Sequence, residues 1–194
     1  MDRLFFLTSN SGKLAEAKDF FLPLGYEVEQ FLIKGEIPEV IEPQSDNLQS
    51  VASSKIQQAA AYLEKIGEKG AILVEDAGLF IDELNGFPGV YSASALEKIG
   101  LHGILKLLDR NTNRGAEFRA CAALWDGNKT ILVEGICRGI ITTVIKGSGG
   151  FGFDPIFAPL DEGTGRTFGE MNKQEKGLYS HRYKALNLLK NELC

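Results

Sequence analysis

The sequence predicts an α/β protein with a mixed β-sheet, and two observations support this class. Near the N-terminus, a short and continuously apolar run leads through a polar loop into a segment with helical periodicity. Further along, two segments of alternating polarity flank Asp126-Gly127-Asn128, which is typical of a β-hairpin. Strand–helix units favour parallel pairing and a hairpin is antiparallel, so the sheet should contain both.

The first part of the chain should fold as strand, helix, strand and helix. Residues 4–7 predict a buried strand, and a helix capped by Asn10 or Ser11 should follow it. A second strand is expected over residues 26–33. An acidic loop punctuated by proline then leads to a long helix over residues 45–66.

The rest of the chain should complete the sheet and add two helices. Residues 71–74 predict a buried strand that ends on Glu75 and Asp76, with Gly78 letting the chain leave sharply. The remaining predicted elements are a helix near residues 101–108, hairpin strands over 118–125 and 130–136, a sheet extension over 140–145, a short strand at 156–157, and a final helix. Ser180 can cap this final helix, which presents Ala185, Leu186, Leu189 and Leu193 to a core.

The composition indicates one globular domain over residues 1–194, because 44% of residues are apolar and 24% are charged. A net charge of −5 without a dense Lys/Arg run argues against nucleic acid as the main ligand. No apolar run reaches membrane-spanning length. Cys121, Cys137 and Cys194 show no CxxC spacing, which favours free thiols and a cytoplasmic location.

The polar loop after the first strand is a candidate phosphate site. It reads Thr8-Ser9-Asn10-Ser11-Gly12-Lys13. Backbone N–H groups, the positive end of the following helix and the Lys13 ammonium could converge there on an anion. A helix cap with a solvated lysine is the alternative, and these residues alone leave both open. The loop is not a Walker motif, because Leu14 follows the lysine.

Lys55 is a second candidate cation for the ligand. It falls at the centre of the apolar face of the long predicted helix, which consists of Leu48, Val51, Ala52, Ile56, Ala59, Tyr62, Leu63 and Ile66. A lysine there must be paired or must reach out of the core. A structural ion pair is the alternative, but the nearby acidic and phosphate-type loops favour ligand binding.

Carboxylates after the third predicted strand are candidate magnesium ligands. Glu75 and Asp76 should lie at the sheet edge where α/β proteins usually bind ligands, and Glu39 of the acidic loop could supply a further oxygen. The alternative is a solvated or helix-capping aspartate.

A glycine-rich segment near residue 150 is a candidate base site. Residues 147–152 match GxGxxG, but Asp154-Pro155 follows instead of a helix, which excludes a dinucleotide-binding fold. Phe151 and Phe153 could lay an aromatic face against a base, with Asp154 accepting from ring N–H groups. Aromatic side chains that fill a core edge are an equally good interpretation.

Hydrogen-bond donors gather at the start of the last predicted helix. Ser180, His181 and Arg182 open it, and Lys176 precedes them. Such a cluster suits an acceptor edge of a ligand. His102 stands in an ordinary helical stretch, where a structural or solvated role is expected.

Together these motifs resemble the inosine triphosphate pyrophosphatase family over nearly the whole chain. The motifs that carry the resemblance are residues 8–13, 37–39, 75–79, 86–92, 150–157, 170–176 and 180–182. The resemblance implies a long, bent mixed sheet with flanking helices, two lobes around a central nucleotide cleft, and a homodimer. It also implies Mg²⁺-dependent hydrolysis of ITP, dITP and XTP to the monophosphate and pyrophosphate.

The resemblance also implies a role for each matched residue. Thr8, Asn10 and Lys13 would bind the triphosphate beside Lys55, Glu39 would bind the metal, and Asp76 would be both metal ligand and general base. The base would be held by Phe151, Asp154, Lys176, His181 and Arg182, with Gly152 and Ser180 in the same motifs.

The chain departs from the usual family pattern at three motif positions. Ala77 stands where serine is usual, so only its backbone N–H remains for substrate. Ser9 replaces a common glycine, and Phe153 replaces Tyr or Trp. Two other functions stay open: a pyrophosphatase for pyrimidine or standard nucleotides, and a non-catalytic purine-nucleotide sensor, for which Ala77 is the one hint.

Overall fold

This computed structural model describes residues 2–193, which contain a mixed sheet of seven strands and five α-helices joined by loops and short 3₁₀ turns. The strands are β1 (Asp2–Phe6), β2 (Tyr26–Gln30), β3 (Ala71–Ile81), β4 (Pro88–Gly89), β5 (Gly115–Trp125), β6 (Thr130–Ile141) and β7 (Phe157–Pro159). The helices are α1 (Ser11–Phe21), α2 (Leu48–Ile66), α3 (Ser92–Leu107), α4 (Lys173–Tyr179) and α5 (His181–Leu193). The side chain of Leu193 and all of Cys194 lie outside the described residues.

The strand order is β2-β1-β3-β5-β6-β7, with β4 paired to β3. Strand β1 runs parallel to β2 and β3, whereas β4 is antiparallel to β3 and β7 is antiparallel to β6. The predicted α/β class with a mixed sheet is therefore confirmed.

The chain divides into two compact units, each assembled from separate stretches. Unit 1 comprises Met1–Asp76, Cys121–Glu134 and Ala185–Cys194, and unit 2 comprises Ala77–Ala120 and Gly135–Lys184. In unit 1 the core includes Leu4, Phe6, Phe21, Ile56 and Leu73, all at most 1% exposed. In unit 2 it includes Leu79, Ile104, Phe118, Phe157 and Phe168. Each unit thus buries apolar side chains of its own.

Helix α2 begins three residues later than predicted. Asn47 is extended, and its Oδ1 accepts hydrogen bonds from the N–H groups of Gln49 and Ser50, which makes it the N-cap. The predicted apolar face is buried over most of its length, but Ile66 at its end is 40% exposed. The second predicted strand is also shorter than expected, since β2 ends at Gln30.

Strand β3 is longer than predicted, which corrects the placement of the acidic pair. Glu75 and Asp76 lie inside an eleven-residue strand that continues to Ile81, so Gly78 does not end it. Instead, Gly78 lets the backbone of β4 approach, because a Cβ there would lie 2.1 Å from the carbonyl oxygen of Gly89. The Ser92 hydroxyl fixes this pairing, since it accepts from Leu79 N–H and donates to the Gly89 carbonyl.

Unit 2 contains further differences from the prediction. Helix α3 begins at Ser92 and is kinked at Gly100, and β6 runs without a break to Ile141, beyond which residues 142–150 form no strand. Helix α4 was not predicted. Ser180 does not cap α5 through its side chain, because its buried Oγ has no hydrogen-bond partner among the described residues. His102 is exposed, as expected.

Cys121 and Cys137 are free thiols, as predicted, and both are fully buried. Burial raises the pKa of each thiol to about 12. In the described part of the chain, no helix has both the length and the apolar composition that a membrane crossing requires.

Candidate functional site

The predicted phosphate loop joins β1 to α1 in unit 1. Asn10 is the N-cap of α1, and its Oδ1 accepts from Lys13 N–H at 3.0 Å. The Thr8 hydroxyl accepts from Asn10 N–H at 3.1 Å, and the Thr8 carbonyl accepts from Gln30 Nε2 at 2.8 Å. The expected cap is confirmed, and these bonds fix the loop while Ser9 and Ser11 stay exposed and Gly12 is half-buried.

Lys13 reaches from α1 to the middle of β3. Its Nζ lies 3.4 Å from Glu75 Oε1 and donates to the Glu75 carbonyl at 3.3 Å. The Glu75 side chain is only 1% exposed. The Lys13 ammonium is therefore held at the strand that carries Asp76, and it is not a freely solvated cation.

Lys55 points inward from α2, as the helical pattern predicted. Its Nζ lies 2.8 Å from Glu42 Oε1 and 3.9 Å from Asp76 Oδ1, and its side chain is 14% exposed. The structural ion pair that was the alternative interpretation is present. The same ammonium also lies beside the candidate catalytic carboxylate, so ion pairing and ligand binding are compatible.

Asp76 is mostly buried and surrounded by charges of both signs. Burial raises the pKa of its carboxyl above the ordinary value, the positive charges of Lys13 and Lys55 oppose this shift, and Glu42 and Glu75 reinforce it. The loss of hydration outweighs the two ammonium groups. A carboxyl with such a pKa is suited to accepting a proton.

The acidic loop between β2 and α2 carries Glu39 and Glu42. The Glu39 side chain is exposed, and the Glu39 carbonyl accepts from the Tyr62 hydroxyl at 3.1 Å. Glu42, the partner of Lys55, was not singled out in the sequence, because its contact depends on how the loop folds back onto α2. Within residues 2–193, no group of three or more His, Cys, Asp and Glu side chains is arranged to hold a metal ion.

The predicted base-site residues lie in unit 2, around a buried ion pair. Lys176 Nζ lies 2.8 Å from Asp154 Oδ2, and the two side chains are 6% and 4% exposed. The same carboxylate oxygen accepts from Phe151 N–H at 2.8 Å. Gly150 has φ 68°, and a Cβ there would lie 2.0 Å from Asp154 Oδ2, so this turn requires glycine.

The two phenylalanines of the glycine-rich segment lie in different environments. Phe151 is half-buried, and its ring is covered by the Lys176 ammonium at 4.6 Å and the Arg182 guanidinium at 5.3 Å from the centroid. Phe153 is only 3% exposed and packs in the core of unit 2. Gly152 has φ 65°. Half-buried Phe151 therefore remains the candidate for stacking on a base, whereas Phe153 fills the core.

The donors at the start of α5 are buried in unit 2. Arg182 is 2% exposed, and the His181 ring stacks on Phe118 with centroids 4.6 Å apart. Ser180 is fully buried. Phe118 is a support that sequence analysis missed, because nothing in a hairpin strand indicates which distant ring it will contact.

Comparison with known proteins shows similarity over nearly the full length. The family model described as the Ham1 family matches residues 4–192. The dITP/XTP pyrophosphatase of Thermococcus kodakarensis is 47% identical over 191 residues, covering 98% of this chain and 97% of that protein. The dITP/XTP pyrophosphatase of Pyrococcus horikoshii is 40% identical over 184 residues, covering 95% and 92% of the two chains.

The fold is also similar to that of a solved structure. The Ham1 protein of Staphylococcus aureus matches with a TM-score of 0.81 at 30% identity, covering 98% of this chain and 97% of that one.

Proposed function

Because the chain belongs to the Ham1 family, we propose that it hydrolyses the non-standard purine nucleoside triphosphates ITP, dITP and XTP to the monophosphate and pyrophosphate. The names of the two relatives support this substrate class. The observation that carries the proposal is the meeting of Lys13 and Lys55 with the buried acidic pair Glu75 and Asp76 on β3. Three further statements remain predictions from the resemblance and the composition: that the protein is a single domain, that it is a homodimer, and that it is cytoplasmic.

The loop over residues 8–13 would bind the triphosphate. Backbone N–H groups at the N-terminus of α1 suit phosphate oxygens, and Thr8 and Asn10 are already held in place by local hydrogen bonds. Lys13 and Lys55 would exchange their carboxylate partners for phosphate oxygens and neutralise the charge that collects on pyrophosphate as it leaves. The Ala77 backbone N–H, next to Asp76, would be a further donor.

Asp76 would act as the base. A water oxygen attacks the α-phosphorus, the bond from this phosphorus to the bridging oxygen breaks, and the water proton passes to the Asp76 carboxylate. The place of Asp76 supports this role, because its Oδ1 lies 3.9 Å from Lys55 Nζ and hence beside the phosphate oxygens that this cation would bind.

Asp76 and Glu39 would hold magnesium. The donor set fits, since Mg²⁺ is usually bound by one or two carboxylates, with phosphate oxygens and water completing the shell. When bound, the ion neutralises charge on the phosphate oxygens. The protein's own part is to present the carboxylates from β3 and from the acidic loop.

The group around Phe151 would read the base. Stacking on the Phe151 ring is open to any purine, whereas the donors Lys176, His181 and Arg182 suit the O6 acceptor of hypoxanthine and xanthine. The N–H₂ group of adenine would face those donors and leave them unpaired, at a cost of about 1–3 kcal/mol.

The test is steady-state hydrolysis of ITP, XTP, dITP, GTP, ATP and dTTP with Mg²⁺, with phosphate and pyrophosphate scored separately. Pyrophosphate from ITP, dITP and XTP, with little from the others, is the expected result. Preference for dTTP or GTP would instead indicate the standard-nucleotide enzyme, and binding without turnover would indicate a sensor.

A further inference from the structure

Three side chains of α2 hold the backbone of the acidic loop. Ser54, Gln58 and Tyr62 are spaced four residues apart, so they lie on one face of the helix. Ser54 Oγ donates to the Ile41 carbonyl at 3.2 Å, and the Tyr62 hydroxyl donates to the Glu39 carbonyl at 3.1 Å. Each bond fixes a main-chain group next to an acidic side chain.

Gln58 makes the strongest of these attachments, because it binds Ile41 at two points. Its Oε1 accepts from Ile41 N–H at 2.8 Å, and its Nε2 donates to the Ile41 carbonyl at 2.8 Å. The second N–H of Nε2 is shared between Ser54 Oγ and the Ser54 carbonyl, both at 3.1 Å, which fixes the amide plane. The side chain therefore pairs with Ile41 as a neighbouring strand would.

The loop has little else to fix it at this point. The Ile41 side chain is 80% exposed, so apolar burial does not anchor it, and residues 37–46 form no helix or strand. Yet the loop supplies Glu39, two residues before Ile41, and Glu42, one residue after it. Glu42 lies 2.8 Å from Lys55, which comes from the same helix as Gln58.

We propose that Gln58 is a positioning residue for the acidic loop. Through its two hydrogen bonds to Ile41, Gln58 places Glu39 where it can bind magnesium and Glu42 where it can pair with Lys55. This inference rests on the proposed function, in which Glu39 is a metal ligand. A ligand on an exposed loop binds metal tightly only if its backbone is held in advance, and the amide of Gln58 does this.

The matched pair of variants is Gln58→Met and Gln57→Met. Met keeps the length of glutamine and its helix propensity but cannot form these hydrogen bonds. Gln57 is exposed on the same helix, so its variant controls for the substitution itself. Both variants should melt close to the wild-type temperature, since the buried face of α2 is unchanged.

Three measurements test whether Gln58 holds the acidic loop in place. Amide hydrogen exchange at Ile41 should become faster in Gln58→Met and stay unchanged in Gln57→Met. The dissociation constant for Mn²⁺, measured by electron paramagnetic resonance with an ITP analogue whose α,β-bridge is methylene, should rise about 10-fold in Gln58→Met alone, as when partners behind metal ligands are removed. The half-saturating Mg²⁺ concentration in ITP hydrolysis should rise likewise, with kcat at saturating Mg²⁺ retained.

A double variant separates positioning from structure. In a Glu39→Gln background, Gln58→Met should weaken Mn²⁺ binding little further, because the ligand that it positions is already lost. Equal Mn²⁺ affinity in Gln58→Met and Gln57→Met would overturn the inference, and so would fully additive losses in the double variant. Failure of the proposed function looks different: the wild type would release no pyrophosphate, while the exchange and Mn²⁺ measurements would still decide the role of Gln58.

Discussion

The ammonium of Lys176 lies 2.8 Å from a carboxylate oxygen of Asp154, and both side chains are almost completely buried. The two residues come from different elements, α4 and the 3₁₀ turn Asp154–Ile156, which are thus joined by a pair of charges with little water around it. The same Asp154 oxygen also holds the backbone of Phe151. The ion pair therefore supports the ring that we assign to the base.

Lys176→Met should destabilise the protein by about 3–5 kcal/mol, because it removes one partner of a buried ion pair. Urea unfolding of the variant and the wild type measures this loss. Lys18→Met, at an exposed position of α1, is the control and should change the free energy of unfolding by no more than about 0.5 kcal/mol. Equal, small losses in the two variants would mean that the pair adds little to stability.

Asp76→Asn should nearly abolish turnover and also stabilise the free protein at neutral pH. The pKa of Asp76 is raised in the folded state, mainly by burial, so its charge costs stability at any pH above that folded-state pKa. The stabilisation should be fully present above this pKa and vanish below about pH 3, where the carboxyl is protonated in both states. Thermal melting across pH, in buffer with a chelator, tests the sign. A variant that keeps wild-type turnover would remove Asp76 from the proposed mechanism.

Lys55→Met should lower ITP hydrolysis with little loss of stability. Met preserves the apolar stem and removes only the ammonium, whose nearest partner, Glu42, has a side chain that is 53% exposed. The acid limb of the kcat/KM profile should also move to higher pH, because Lys55 holds the pKa of Asp76 down in the free protein. Activity against pH and a melting curve give both readouts. Lower stability with normal turnover per folded molecule would indicate that Lys55 serves only as a structural ion pair.

Arg182→Ala should shrink the ratio of kcat/KM between ITP and ATP, chiefly through loss on ITP, by a differential on the order of 1–3 kcal/mol. The reason is that the guanidinium of Arg182 can donate a hydrogen bond to O6 of ITP, whereas the amino group of ATP is itself a donor and cannot accept one. Phe151→Ala is the matched comparison and should lower kcat/KM for every purine by a similar factor, because stacking does not sense the exocyclic group. If Arg182→Ala lowers ITP and ATP hydrolysis equally, Arg182 supports the fold or the phosphates instead.

Local features of the site could be read from the sequence. The cap at Asn10 needed only the preference of asparagine for such a position, and its bond to Lys13 spans three residues. The inward direction of Lys55 followed from the helical period, which the structure of α2 confirms. These features depend on neighbours along the chain.

Features set by distant pairing could not be read in this way. Glu75, Asp76 and Gly78 interrupt the apolar pattern after Val74, yet β3 continues to Ile81, and β4 pairs with it at Leu79 and Phe80. The partner of Lys55 depends on where an irregular loop returns, and the ion pair of Lys176 spans 22 residues. The sequence predicts that Ser180 caps α5, but this residue follows directly after α4 and is fully buried.

The two buried thiols can report local unfolding of the protein. With a pKa of about 12, on the order of one thiol in 10⁵ is ionised at pH 7, so alkylating reagents should not modify Cys121 or Cys137 while the protein stays closed. Cys121 belongs to unit 1 and Cys137 to unit 2, and each is fully buried. With Cys194 replaced by serine, the labelling rate of each thiol therefore reports the local unfolding of one unit. A bound nucleotide should slow the labelling of the thiol whose unit it stabilises.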